Sequence, residues 1–141
     1  MTPALGVAAV LVTIVLATLG GLFWRRRQGR VRAARRATGT ALPEPVLSRV
    51  DQTAAVTLLQ LNSPVCARCP QAGMVLGELA QTTPGIRHTK LDLAEYPELA
   101  HELKVRSTPT TLVLSATGEE LFRVAGVPRR DELRSALQPH L

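Results

Sequence analysis

Aromatic residues are almost missing from this chain. Only four of its 141 residues are Phe, Trp or Tyr, so any core must be built from Val, Leu, Ile and Ala. Charge is absent from Ala4 to Trp24, and acids are absent from the arginine cluster that follows. That cluster, Arg25, Arg26, Arg27, Arg30, Arg32, Arg35 and Arg36, supplies seven positive charges and explains the net charge of +6; ten basic and eleven acidic residues remain elsewhere. The rest of the chain is near neutral, which excludes a nucleic-acid-binding domain spread along the sequence. No internal repeat is visible. Cysteine occurs twice, at Cys66 and Cys69, and the three histidines, His88, His101 and His140, fall on a strand start, a helix and the chain end. A structural zinc site needs four converging ligands at characteristic spacing, so these five residues predict no metal centre and the histidines read as surface groups.

The uncharged stretch Ala4 to Trp24 is 21 residues long and rich in Leu, Val and Ala. At about 1.5 Å per residue, a helix of this length crosses a hydrocarbon layer of about 30 Å. The sequence therefore predicts a transmembrane anchor over residues 4–24, with Phe23 and Trp24 at the interface. A cleaved signal peptide fits less well, because the charged n-region is missing and Phe-Trp-Arg-Arg-Arg is a poor cleavage context. Only the α-amino group precedes the span, whereas seven arginines follow within 12 residues. The positive-inside rule then places the C-terminal domain in the cytoplasm, with an extracytoplasmic domain as the alternative. The stretch Gly29 to Arg36 reads either as a helix lying along anionic headgroups or as a solvated basic tether. Ala37 to Pro45 has a linker composition. The expected organisation is an anchor and the start of its basic flank over 1–27, a juxtamembrane segment and linker over 28–50, and one domain over 51–141. A domain of about 90 to 95 residues is small but able to fold alone.

The two cysteines form Cys66-Ala67-Arg68-Cys69, placed where the strand Thr57 to Leu61 hands over to a helix of about Gln71 to Gln81. A helix N-terminus stabilises a thiolate through unpaired N–H groups and the positive end of the helix dipole. Cys66 is therefore expected to be the attacking thiol, and Cys69, about one turn further in, the resolving one. Arg68 can lower the Cys66 pKa further and make the couple more oxidising, or point to solvent and be screened. Pro70 suits a first helical turn.

After the C-x-x-C come a strand Ile86 to Leu93, a helix Tyr96 to Leu103, Thr108-Pro109-Thr110, a strand Thr111 to Ser115, a turn at Ala116-Thr117-Gly118-Glu119, a strand Leu121 to Ala125, Gly126, and a helix from about Arg129. With these features in this order, the chain resembles the thioredoxin family over roughly Ala54 to Leu141. The resemblance implies an α/β fold of the thioredoxin type, with a central mixed sheet of about four strands flanked by helices and a trimmed N-terminal part, preceded by the transmembrane helix. Val46 to Gln52 is then a single helical turn or irregular. Pro109 matches a cis proline that presents the backbone of Thr108 to an extended substrate; a trans proline opening a strand is the alternative reading. Gly126 is expected to let the last strand approach the cis-proline loop, and Asp92 to cap or approach the next helix.

Two departures stand out. Val65 precedes Cys66 where thioredoxins have tryptophan. Gln60 occupies the position of the family's buried acid, and a neutral amide cannot act as a base. Lys90 matches the family lysine but lacks that acid, and can simply snorkel to water. The function this implies is a membrane-anchored thiol–disulfide oxidoreductase. Cys66 and Cys69 would be catalytic, Thr108 and Pro109 would bind substrate, and Ala67, Arg68, Gln60 and Lys90 would tune the pair. Its partners would be protein disulfides and an upstream thiol reductant, with no cofactor beyond the Cys66–Cys69 disulfide. A non-catalytic redox sensor or partner-binding module, and a soft-metal-binding protein, are the alternatives. Arginine outnumbering lysine 15 to 2, with abundant alanine, points to a GC-rich bacterial genome.

Overall fold

The computed structural model describes residues 3–27, 31–33 and 42–141. Its elements run α1 (Pro3–Arg27), β1 (Val31–Ala33), α2 (Glu44–Leu47), β2 (Val56–Asn62), α3 (Cys69–Thr82), β3 (Ile86–Asp92), α4 (Pro97–Glu102), β4 (Thr110–Ser115), β5 (Glu120–Ala125) and α5 (Arg130–Leu137), closing with a 3-10 turn at Gln138–His140. The sheet order is β1-β5-β4-β2-β3. β2 runs parallel to β3 and antiparallel to β4, and β5 is antiparallel to both β4 and β1. The four-stranded mixed sheet expected from the sequence is therefore present, extended by one short edge strand.

β2 sits in the middle of the sheet, and both of its faces are covered. Such a strand reads as a near-continuous apolar run, as Val56 to Leu61 does apart from Thr57 and Gln60. On one face Val56 and Leu58 meet Leu76 and Leu79 of α3, Val113, Phe122, Val124, and Leu133 and Leu137 of α5. On the other, Leu59 and Leu61 meet Leu91, Leu112, Leu114, Val46 of α2, and Leu99 and Leu103 at the end of α4. Period-two alternation along β2 assigns each side chain to its layer, and the spacing of Ala72, Leu76 and Leu79 gives α3 one buried stripe. Phe122 is the buried aromatic ring of this core and Tyr96 packs, partly buried, against its second layer; the other buried side chains of the two clusters are aliphatic. The tight turn between β4 and β5 places Gly118 at φ 81°, a left-handed conformation that glycine adopts at little cost.

Two local readings change. The stretch Gly29 to Arg36 is neither helix nor solvated tether throughout: Val31–Ala33 is a strand whose Val31, Arg32 and Ala33 pair with Val124, Arg123 and Phe122, and the Val31 amide donates to Glu132 Oε1 at 3.2 Å. Val31 packs, partly buried, against the apolar core on the α3 side of the sheet. Asp92 does not cap α4, whose N-cap is Tyr96; its Oδ1 accepts from the Ala94 amide at 2.9 Å, closing a turn at the strand end. The expected single turn near Val46 is α2, which buries Val46 completely. The expected linker lies largely in residues 34–41, outside the described residues.

α1 is uncharged until its last turn, and every residue from Gly6 to Phe23 is exposed. Its two described hydroxyls, Thr13 and Thr18, donate to the carbonyls of Ala9 and Ile14 four residues back, so their polarity is satisfied within the helix. A long apolar helix with no buried face in the protein is a candidate membrane span or signal sequence.

The approach to β2 is pinned by Asp51. Its Oδ1 accepts from the Thr53 hydroxyl at 2.5 Å and amide at 2.9 Å, and its Oδ2 from Arg87 Nε at 2.8 Å. These donors, Thr53 before Arg87, hold the carboxyl down to about 2. A depressed folded-state pKa gives a contribution that is present above the ordinary carboxylate range and is lost as pH falls through the folded value. Asp51→Asn should therefore lower the melting temperature at neutral pH. The gap to wild type should close between about pH 4 and about pH 2 in thermal melts followed by circular dichroism.

Candidate active site

The chain leaves the C-terminal end of β2 at Asn62, turns through Ser63 and Pro64, and enters α3 at Cys69. Cys66 N–H donates to Ser63 O at 3.1 Å and Cys69 N–H to Cys66 O at 3.2 Å, so the two cysteines bracket one tight turn ahead of the helix. Their Cα atoms are 5.5 Å apart and their sulfurs are joined in a disulfide. The turn exposes them unequally. Cys69 is 8% exposed and belongs to the buried face of α3, whereas Cys66 is partly exposed and stands beside Val65, which is 92% exposed. Pro70 occupies the first turn of α3, where its missing N–H costs nothing. Arg68 is the N-cap residue and Ala67 precedes it, both exposed.

The peptide between Thr108 and Pro109 is cis. Register pairs Leu61 of β2 with Thr110 of β4, which sets Pro109 beside the strand end from which the chain runs to Cys66. Pro109 is buried and Thr108 half-buried. Gly126, at φ 83°, donates its N–H to Pro109 O at 2.7 Å, so the expected close approach of the last strand is made through this glycine. Thr110 Oγ1 donates to Ser107 O at 2.7 Å and closes the loop from the other side.

Beneath the dithiol lies Gln60, fully buried on the α3 face of β2. Its Nε2 donates to the Cys69 carbonyl at 2.8 Å, and its Oε1 lies 3.0 Å from Nε2 of His88. The carbonyl of Cys69 only accepts, so the amide nitrogen must face it and the amide oxygen must face the imidazole. An amide oxygen also only accepts, so His88 carries a proton on Nε2. Gly73 of α3 covers this contact: a Cβ there would lie 3.3 Å from Gln60 Oε1 and 3.4 Å from Lys90 Nζ. Lys90 is the register neighbour of Gln60; its side-chain end lies against Gly73, and the residue is exposed. Thr111, the neighbour of Gln60 on β4, is fully buried, and its hydroxyl makes no hydrogen bond among the described residues.

His88 corrects the surface reading given to all three histidines. Burial, and secondarily the Lys90 ammonium, hold its imidazole below the ordinary value. The sequence did carry a signal: with alternation along β3, Ile86, His88 and Lys90 share one face, and that face is the one Gln60 occupies on the next strand. His101 and His140 are exposed, His140 with its ring 6.1 Å from Phe122. None of the three approaches the other two within a cluster of metal-ligating side chains among the described residues.

With this geometry in hand, comparisons with known proteins define the class. The pattern of the family described as Thioredoxin matches residues 44–139. This chain belongs to the thioredoxin family. It is 28% identical over 95 residues to a thioredoxin H-type of Ricinus communis, covering 67% of this chain and 79% of that protein. It is 32% identical over 87 residues to a thioredoxin of Staphylococcus saprophyticus, covering 61% and 83%. Among solved structures, a point-mutant thioredoxin from Halobacterium salinarum is similar with a TM-score of 0.59 and 25% identity, over 71% of this chain and 87% of that one. A thioredoxin fold carrying a C-x-x-C pair supports thiol–disulfide oxidoreductase chemistry in general.

Gln60 ties the sheet to the first turn of α3, so its removal leaves the carbonyl of buried Cys69 and the half-buried His88 imidazole N–H without this partner. Gln60→Ala should cost about 1–3 kcal/mol in urea unfolding of the oxidised protein, well above the effect of an exposed substitution.

Proposed function

We propose that this protein is a membrane-anchored thiol–disulfide oxidoreductase acting on protein disulfides. The observation that carries the reading is the unequal exposure of the pair: Cys66 is open to a substrate while Cys69 is buried at the start of α3. In the reduced protein, the Cys66 thiolate attacks one sulfur of a substrate disulfide and expels the other as a thiolate. The resulting mixed disulfide lies beside the cis Thr108-Pro109 peptide, where the Thr108 backbone can align an extended chain. The Cys69 thiolate then attacks the Cys66 sulfur, expels the second substrate thiolate and closes the Cys66–Cys69 disulfide. The protein dithiol loses two electrons and two protons, and the substrate disulfide gains them. A thiol reductant reverses the change and returns the protein to its dithiol form. Ala67 and Arg68 tune the pair from the turn itself, and Gln60 and Lys90 from beneath it.

Location is part of the proposal. α1 contains an apolar stretch with the length of a span, and seven arginines, three in its last turn and four beyond it, flank that stretch on the C-terminal side; by the positive-inside rule this supports a cytoplasmic dithiol domain. A cytoplasmic dithiol rests reduced, which favours the reductive direction.

Membrane vesicles of defined orientation carrying the full chain test both parts at once. Inside-out vesicles should reduce a membrane-impermeant protein disulfide at the expense of added dithiothreitol. Right-side-out vesicles should not, until detergent opens them. Cys66→Ser should abolish this turnover, whereas a binding module or scaffold would not require the thiol. Activity in intact right-side-out vesicles would reverse the topology, and Cys66-independent activity would remove the catalytic reading.

A further inference from the structure

The α3 face of the sheet is apolar at one end and turns polar at the end nearest the dithiol, where Gln60, Asn62, His88, Lys90, Asp92 and Thr111 lie. Val56, Leu58, Val113 and Val124 make a continuous hydrophobic layer, and next to it Gln60, His88 and Thr111 form a buried or half-buried polar cluster under the first turns of α3. Burying three polar side chains costs free energy unless they are partnered, and one of them, the Thr111 hydroxyl, is not among the described residues. The chain of contacts runs in one direction: His88 Nε2–H to Gln60 Oε1, and Gln60 Nε2–H to the carbonyl of Cys69. It ends on the backbone of the buried half of the dithiol.

We propose that His88 is a positioning residue of the redox pair: its Nε2–H locks the Gln60 amide against the Cys69 carbonyl, and the imidazole thereby senses whether the dithiol above it is oxidised or reduced. The proposal deepens the oxidoreductase reading and rests on it for its consequences in turnover. Gln60 has no proton to exchange, so the cluster holds Cys69 in place and does not accept its proton. His88 acts on the sulfurs through geometry and charge. Without the imidazole donor, the amide is free to rotate away, and the first turn of α3 loses its tie to the sheet.

The charged groups that face His88 are few. On its own strand face lie Lys90 and, further along, Asp92, whose carboxylate is turned to the Ala94 amide. α3 presents Gly73 and Gly77, with Nδ1 of His88 3.8 Å from the position a Gly77 Cβ would take. The nearest acid on that helix, Glu78, is paired with Arg130 of α5. β2 and β4 offer Leu58, Gln60, Thr111 and Val113, none of which titrates. The groups near this cluster whose charge changes with redox state are therefore the two sulfurs. In the disulfide they are neutral, and burial and Lys90 disfavour the imidazolium. Reduction adds two electrons, and where Cys66 remains a thiolate one of them stays as net negative charge. That charge favours a proton on His88 Nδ1, so His88 should bind protons more tightly in the reduced protein. By reciprocity, protonated His88 should stabilise the thiolate and make the couple more oxidising as pH falls.

The direct test is a titration of the full chain in detergent micelles with carbon-13-labelled histidine, followed by NMR in the oxidised form and after reduction with a phosphine. The His88 acid constant should decrease by about threefold or more on reduction, with His101 and His140 unmoved as internal controls. A second measurement follows the mixed disulfide formed with oxidised glutathione after acid quenching. His88→Phe should lengthen its lifetime several-fold, and His88→Gln, which restores an amide donor, should recover part of the loss. Coincident His88 midpoints in the two redox states would overturn the proposal, as would a folded His88→Phe protein that resolves at the wild-type rate. Should the Phe variant not fold, the wild-type titration decides alone. It requires only that the disulfide be reducible, so a failure of protein-disulfide turnover would leave it standing.

Discussion

The site depends on how the first turn of α3 is fastened to β2. Cys69 points into the layer between helix and sheet, and its carbonyl is held by the buried Gln60 amide. The short turn from Ser63 then has no choice but to carry Cys66 outward, one turn earlier and partly exposed. A single backbone anchor thus separates two chemically identical thiols into an accessible one and a protected one. The cis Thr108-Pro109 peptide is placed by the same sheet, through the pairing of β4 with β2 and the bond from Gly126. The bonds within the turn shape it locally, and the packing of Leu58, Leu76 and Leu79 beneath it holds α3 against the sheet.

Much of this was legible because the signals are local or periodic. Two cysteines at helix-start spacing, a Thr-Pro before an apolar run, and glycines at a turn and after the last strand each need only a few neighbouring residues to be read. The order of these features, as the resemblance to the thioredoxin family lays them out, matches every element from β2 to α5, with ends displaced by a residue or two. What escaped was set by contacts between segments far apart in sequence. His88 sits 28 residues from Gln60, and its polarity suggested a surface position until the parallel register of β2 and β3 placed it against that amide. Val31–Ala33 lies amid arginines, and only its pairing with β5 makes a strand of it. Neither fact is contained in a window of sequence.

β1 also alters how the apolar helix α1 is joined to the domain along the chain. A linker was expected to separate the two. Instead, the edge strand begins four residues after α1 ends, a reach of at most about 14 Å of extended chain. The residues with linker composition come after that strand, between β1 and α2.

The central claim is that the fold makes Cys66 the reactive thiol and Cys69 the protected one. It is tested most directly by alkylating the fully reduced protein with iodoacetamide across a range of pH and locating the modified residue by peptide mass spectrometry. The account predicts that Cys66 reacts at least about tenfold faster than Cys69, with a midpoint below the free-thiol value of about 8.5. Cys69 should become reactive only when the domain is unfolded. Equal rates at the two cysteines in the folded protein, or faster modification of Cys69, would contradict it.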